Sequence, residues 1–189
     1  MLLVSLLLTG CGATRISPPV EVLDPVPVFV LDHGRHTSLV LADGDGGLHR
    51  YAYGDWRYYA QGDTSLASGL AALFWPTPGA LGYRRLRGEA DAATVERMVR
   101  VGIAELHTLR VERARADALR SRLDAIIAQA PTLLPAPDVD LTFVPHPRAY
   151  SLAHNSNQVM ADWLTELGCQ VQRRPVWAAW VVAGAERPQ

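Results

Sequence analysis

The chain contains no lysine; all 18 of its basic residues are arginine. That absence excludes Schiff-base chemistry and the lysine of a phosphate-binding loop. Cysteine is nearly as scarce. Only Cys11 and Cys169 occur, so no cysteine cluster exists for zinc. No apolar run approaches the about 20 residues that a membrane-spanning helix needs. An excess of charge is also missing: the net charge is −1, without the basic footprint of a nucleic-acid-binding protein. There is no internal repeat and no low-complexity tract. What is left is ordinary globular composition, long enough for a single domain with a real core.

The N-terminus is informative. Residues 2–8 read Leu-Leu-Val-Ser-Leu-Leu-Leu, too short to span a bilayer and suited to the apolar core of an export signal. Leu8-Thr9-Gly10-Cys11 follows directly and resembles the bacterial lipobox. The resemblance implies that residues 1–10 are removed and that Cys11 becomes a lipidated N-terminus, which makes the membrane a partner. No Lys or Arg precedes Cys11, a departure from the usual signal that places the start codon a few residues upstream. Gly12, in place of Asp, favours the outer membrane, with the domain facing the periplasm. Residues 11–27 carry Pro18, Pro19, Pro25 and Pro27 and read as an extended tether. With Cys11 lipidated, Cys169 has no disulfide partner. It follows Gly168 at a helix end and reads as a small buried apolar residue.

The pattern beyond residue 28 predicts one α+β domain over 28–185, an antiparallel sheet packed on helices. Val26 to Asp32 is β-branched and apolar, His36 to Ala42 reads as a second strand, and Leu48 to Tyr53 alternates; three strands are expected, the last two joined through Asp43–Gly47. A short helix is expected from Thr64 to Trp75, and a strand over Leu81–Leu86. Asp91 caps a helix expected from Ala92 to about Leu106. A second helix is expected over Arg113–Gln129, and a third over Asn155–Leu167. Pro131, Pro135 and Pro137 mark a loop, and Val176–Ala183 a closing strand.

Two constellations carry chemistry. In His33-Gly34-Arg35-His36-Thr37 a glycine turn delivers a histidine onto a strand. In His154-Asn155-Ser156-Asn157-Gln158 polar residues open an amphipathic helix, where unpaired N–H groups favour anions and nucleophiles. Val28–Leu41 around His36-Thr37, Tyr53-Gly54-Asp55 with Tyr58-Tyr59, and Asn155-Ser156-Asn157 followed by Ala161, Leu164 and Gly168 resemble three motifs of an uncharacterised bacterial domain family. Its members often occur as lipoproteins. The resemblance spans about Val26 to Val182, nearly the whole domain, and that family is similar in turn to circularly permuted papain-like hydrolases, which include the permuted NlpC-type peptidases and the lecithin-retinol-acyltransferase-like enzymes. There the histidine strand comes first and the nucleophile helix last.

The resemblance implies His36 as general base and residue 156 as nucleophile. The N–H groups of Ser156 and Asn157, beside Asn155, would form the oxyanion hole, and Asp55 or His49 would orient the imidazole. The family pattern has cysteine where this chain has Ser156. A hydroxyl cannot rest ionised at a helix N-terminus as a thiol can; Ser156 would need His36 within about 2.6–3.2 Å. Two expectations follow. One is a hydrolase or acyltransferase acting on amide or ester bonds of the envelope. The other is a non-catalytic descendant that binds a ligand or partner. Simpler roles stand beside them: Ser156 as an N-cap, His36 as a half-buried histidine, and Tyr51, Tyr53, Trp56, Tyr58 and Tyr59 as either core or pocket lining. His33, His36 and His154 match no metal-binding spacing, and no cofactor is implied.

Overall fold

The computed structural model describes residues 13–34, 36–44, 46–60, 75–172 and 179–183. The signal segment, Cys11, nearly all of the helix expected from Thr64, and residues 176–178 of the closing strand lie outside them.

The first strands fall where alternation and β-branching put them. Strand β2 (Pro25–Asp32) pairs antiparallel with β3 (Thr37–Ala42), in the register Val28–Leu41 through Asp32–Thr37. β4 (Gly47–Asp55) follows beside β3, then β5 (Thr77–Arg87). β6 (Glu105–Glu112) flanks β2, while β8 (Leu141–Tyr150) and β7 (Leu134–Ala136) extend the other side. The result is a seven-stranded antiparallel sheet, ordered β6-β2-β3-β4-β5-β8-β7.

Its central strands are apolar on both sides, and both sides are covered. On one face, Val28, Val30, Leu39, Leu41, Tyr51 and Tyr53 pack under helices α2 (Arg113–Ala128) and α3 (Ser156–Glu166). On the other, Phe29, Leu31, Val40, Leu48 and Leu86 pack under α1 (Ala92–Met98). Ala52, Ala80, Leu141 and Phe143 continue the second face, with Trp56 and Tyr59 against them. The fold is α+β, as expected.

Three segments differ from expectation. Helix α1 starts at its Asp91 cap but stops at Met98, where Val99 is already extended. Gly102 interrupts the helical run, and His107, Leu109 and Val111 alternate inward, so Glu105 and Leu106, the expected helix end, instead open an eight-residue strand paired with β2. Strand β8 is not expected from the sequence, because Pro145 and Pro147 interrupt it. Both lie past the end of β7, where one edge of β8 has no partner in the sheet and a missing N–H costs no ladder bond there.

The expected tether is also partly corrected. Thr14–Ser17 forms strand β1, between β9 (Gln170–Gln172), antiparallel, and β10 (Trp180–Val182), parallel. Ile16 is 0% exposed within the main core, and Pro25 and Pro27 already belong to β2. The apolar Ile16 overrides the loose reading that the neighbouring prolines suggest. Ile16→Ala should therefore lower unfolding stability by about 2–5 kcal/mol. An unchanged denaturation midpoint would return residues 14–17 to the tether.

Candidate functional site

The turn between β2 and β3 sets the geometry. Gly34 adopts φ 90°, a conformation that L side chains resist, and its N–H donates to Asp32 Oδ1 at 2.6 Å. The His33 N–H donates to the His36 carbonyl at 3.0 Å, closing the loop. From there the chain enters β3, and successive side chains go to opposite faces. Thr37 takes the helix face with Leu39 and Leu41, whereas His36 takes the other face with Ser38 and Val40.

Thr37 is the residue that reaches the start of α3. It is 1% exposed, donates to Asn157 Oδ1 at 3.2 Å and accepts from Trp180 Nε1 at 2.9 Å. Asn155 is the N-cap: its Oδ1 accepts from the N–H groups of Asn157 and Gln158, each at 3.0 Å, and its Nδ2 donates to Leu152 O at 3.1 Å. Asn155, Ser156, Asn157 and Gln158 are all buried. The Asn157 N–H, expected in an oxyanion hole, is thus consumed by the cap. The Ser156 hydroxyl makes no hydrogen bond to a histidine among the described residues.

His36 lies on the second face. Its ring is 5.4 Å from that of His33 and 5.3 Å, edge to face, from that of Tyr59. Both histidines line a cleft of about 260 Å³ with Val101, Gly102, Asp138 and Val139. Behind it lies Arg50, 1% exposed. A buried guanidinium needs partners on every side, and Arg50 has them. Nε donates to Ser38 Oγ at 3.0 Å and Nη2 to His33 Nε2 at 3.2 Å. Nη1 donates to the carbonyls of Val139 and Asp140, both at 3.4 Å, with the Asp140 carboxylate at 3.7 Å. Asp140 itself sits at φ 57°, held there as its carboxylate accepts from Arg84 and from the Arg100 N–H.

These contacts define the state of His33. Nδ1 donates to Gly102 O at 2.7 Å, which leaves Nε2 to accept from Arg50 and to pair with Ser38 Oγ at 2.9 Å. Burial pushes the His33 ring down to about 4; the Gly102 carbonyl opposes this, while Arg50 and His36 add to it. Burial, then Arg50, also lowers His36. Both rings are neutral at pH 7. The His36 nitrogens make no hydrogen bond among the described residues, so the ring presents one donor and one acceptor to the cleft.

Neither expected orienting residue reaches His36. His49 lies opposite Leu41, at the far end of the hairpin and on the helix face, bonded to Asp43 at 3.1 Å. Asp55 is 3% exposed and accepts from the Tyr58 N–H at 2.8 Å and from Thr77 Oγ1. It anchors the π-helical turn Trp56–Ala60. Tyr51 and Tyr53 are core residues, donating to Asp124 and to the Arg148 carbonyl respectively, whereas Tyr59 abuts His36. Cys169 is 3% exposed, and burial raises its thiol to about 11, as a structural cysteine requires. Among the described residues no three His, Cys, Asp or Glu side chains converge as a metal site.

Sequence reasoning misses Arg50, Ser38 and Asp140. One signal is present: Arg50 stands between Leu48 and Ala52 in a strand, sharing their core-facing phase. No protein-family model, curated protein or solved structure matches the chain at a significant level.

The depressed His33 ring makes a pH prediction. Its neutral form contributes stability fully above the ordinary value near 6.5. That contribution is lost as pH falls from there to about 4, because the unfolded chain takes the proton first. His36, His146 and His154 are also shifted down and act in both proteins compared. Denaturation across this range should therefore show up to about one proton less uptake on unfolding for His33→Gln than for the native chain. Equal pH slopes would contradict the assignment.

Proposed function

We propose that this is a lipid-anchored envelope protein on a permuted papain-like scaffold that binds rather than cleaves. Its ligand contact is the His36 cleft and not the start of α3. Lipidation at Cys11 would hold it on the outer membrane, facing the periplasm. In favour of the scaffold stands the order of elements: a histidine-bearing hairpin first, and a helix opened by Asn155-Ser156-Asn157 last, packed on that hairpin's strands.

One observation carries the choice of binding over hydrolysis. Thr37, not His36, meets α3, and His36 points to the opposite side of the sheet with His33 and Tyr59. A serine hydrolase needs its base within hydrogen-bond reach of the hydroxyl. Here no hydrogen bond joins the two groups among the described residues, and the cap has taken a donor that an oxyanion would use. The cleft at about 260 Å³ sits just below the roughly 300–1,000 Å³ of sites for drug-sized ligands. It suits a small molecule or one side chain of a partner. Arg50 is already neutralised by Asp140 and its carbonyls, so the cleft favours an uncharged hydroxyl or amide over an anion.

Ser156→Cys tests this directly. If no imidazole serves position 156, the pH profile of its alkylation by iodoacetamide should be the same in S156C and in S156C combined with H36A. A thiolate at pH 6 that disappears with His36 would restore the papain-like dyad and sink the binding reading.

A further inference from the structure

We propose that the side of the domain formed by β9, β1 and β10 lies directly on the bilayer, with Val20 and Leu23 entering the lipid interface. The inference rests on the reading of Cys11 as the lipidated residue, and goes beyond it in fixing which surface meets the membrane.

The argument begins with chain length. Three residues of backbone carry Cys11 to Thr14. An extended chain advances about 3.3–3.6 Å per residue, so the lipid-bearing residue lies within roughly 11 Å of β1. Strand β1 is not a loose leash. Ile16 is 0% exposed, the Thr14 N–H donates to Ala179 O at 2.7 Å, and the Ala183 N–H donates to Ile16 O at 2.7 Å. Its neighbours hold it in register from Thr14–Trp180 to Ser17–Gln170. A domain anchored this closely cannot stand off on a stalk; part of its surface must touch the head groups.

Strand β1 leads from that anchor to the two most exposed large apolar side chains among the described residues, with exposed Glu21 between them. β1 has four residues, an advance of roughly 13 Å, and leads into the connection 18–24. On it Val20 is 99% exposed and Leu23 97%. The end of this connection is held in place. The N–H groups of Leu23 and Asp24 donate to the Glu112 carboxylate at 2.9 and 3.2 Å, and Arg113 Nε donates to Asp24 Oδ2 at 2.7 Å. Val181, 49% exposed, lies on β10 beside exposed Arg15, a guanidinium suited to anionic head groups. Aliphatic side chains dipping into the interface supplement an acyl anchor by the same burial that holds amphipathic segments there.

The test uses the full lipidated protein in vesicles of phosphatidylethanolamine and phosphatidylglycerol. Val20→Cys, Leu23→Cys and, beside His33 at the other end of β2, Asp138→Cys each take a bimane label; buried Cys169 is replaced by alanine in all three. Nitroxide lipid should quench the labels at 20 and 23 several-fold more than the label at 138, and aqueous iodide should do the reverse. If the protein sediments with vesicles through Cys11 but the labels at 20 and 23 stay as open to iodide as that at 138, the surface is wrong and the anchor stands. Protection from both quenchers that grows with protein density would assign the surface to a second copy and overturn the proposal. If Cys11→Ala sediments as well as the native chain, the anchor itself fails, and the inference with it.

Discussion

A strand covered on both sides must satisfy two environments with alternate residues, and β3 carries that constraint for the whole molecule. Its even and odd positions belong to different cores. Leu39 and Leu41 help hold α2 and α3, while Val40 supports α1. The polar residues at its head follow the same division. Thr37 joins Asn157 and Trp180, tying the first third of the chain to its last helix and last strand. Ser38, one residue on, serves the buried Arg50. From Arg50 the requirements spread outward: to His33, whose tautomer it helps define, to the carbonyls of residues 139 and 140, and to Asp140, which reaches the left-handed region to meet Arg84 and the Arg100 N–H.

The same constraint governs the chemistry at position 36. Thr37, the first residue of β3, could be exchanged for a histidine-bearing position only by a one-residue slip of the strand, and such a slip turns every side chain over. Leu39 and Leu41 would leave the larger core and Val40 would enter it, at a cost no single imidazole contact offsets. The two polar constellations are therefore separate devices. The start of α3 is a closed joint of caps and buried amides, while the His33–His36 side is an open cleft with a neutral ring at its wall.

Much of this is legible in the sequence, and the exceptions have physical causes. The β2–β3–β4 succession, the caps at Asp91 and Asn155, and the span of α2 follow from alternation, capping residues and helical periodicity. The expected helix runs on to Leu106 because Ile103 fits its apolar face and leaves 107–112 unassigned, yet the alternation of His107, Leu109 and Val111 makes a strand once β2 offers a partner. Strand β8 is hidden by its prolines, which a half-open edge tolerates. The site is legible as residue types but not as a place. In a strand with Leu39, Val40 and Leu41 in succession, both faces are apolar, so period two cannot tell which face meets which helix. His36 and Ser156 can be named from the sequence, but the neighbours each one takes cannot be seen there. Arg50 is the better clue, since a charge at a core-facing position demands an entire set of partners.

The parallel pairing of Thr14 with Trp180 joins the two ends of the described chain. During synthesis β1 emerges well before β10, with the seven-stranded sheet between them in sequence. Contacts this distant in sequence form late, because the intervening loop must be closed before they repay its entropy. Until then the β10 edge of β1 has no partner. The strand that buries Ile16 is thus completed by a partner 166 residues further on, so its place in the fold depends on chain that follows the whole seven-stranded sheet.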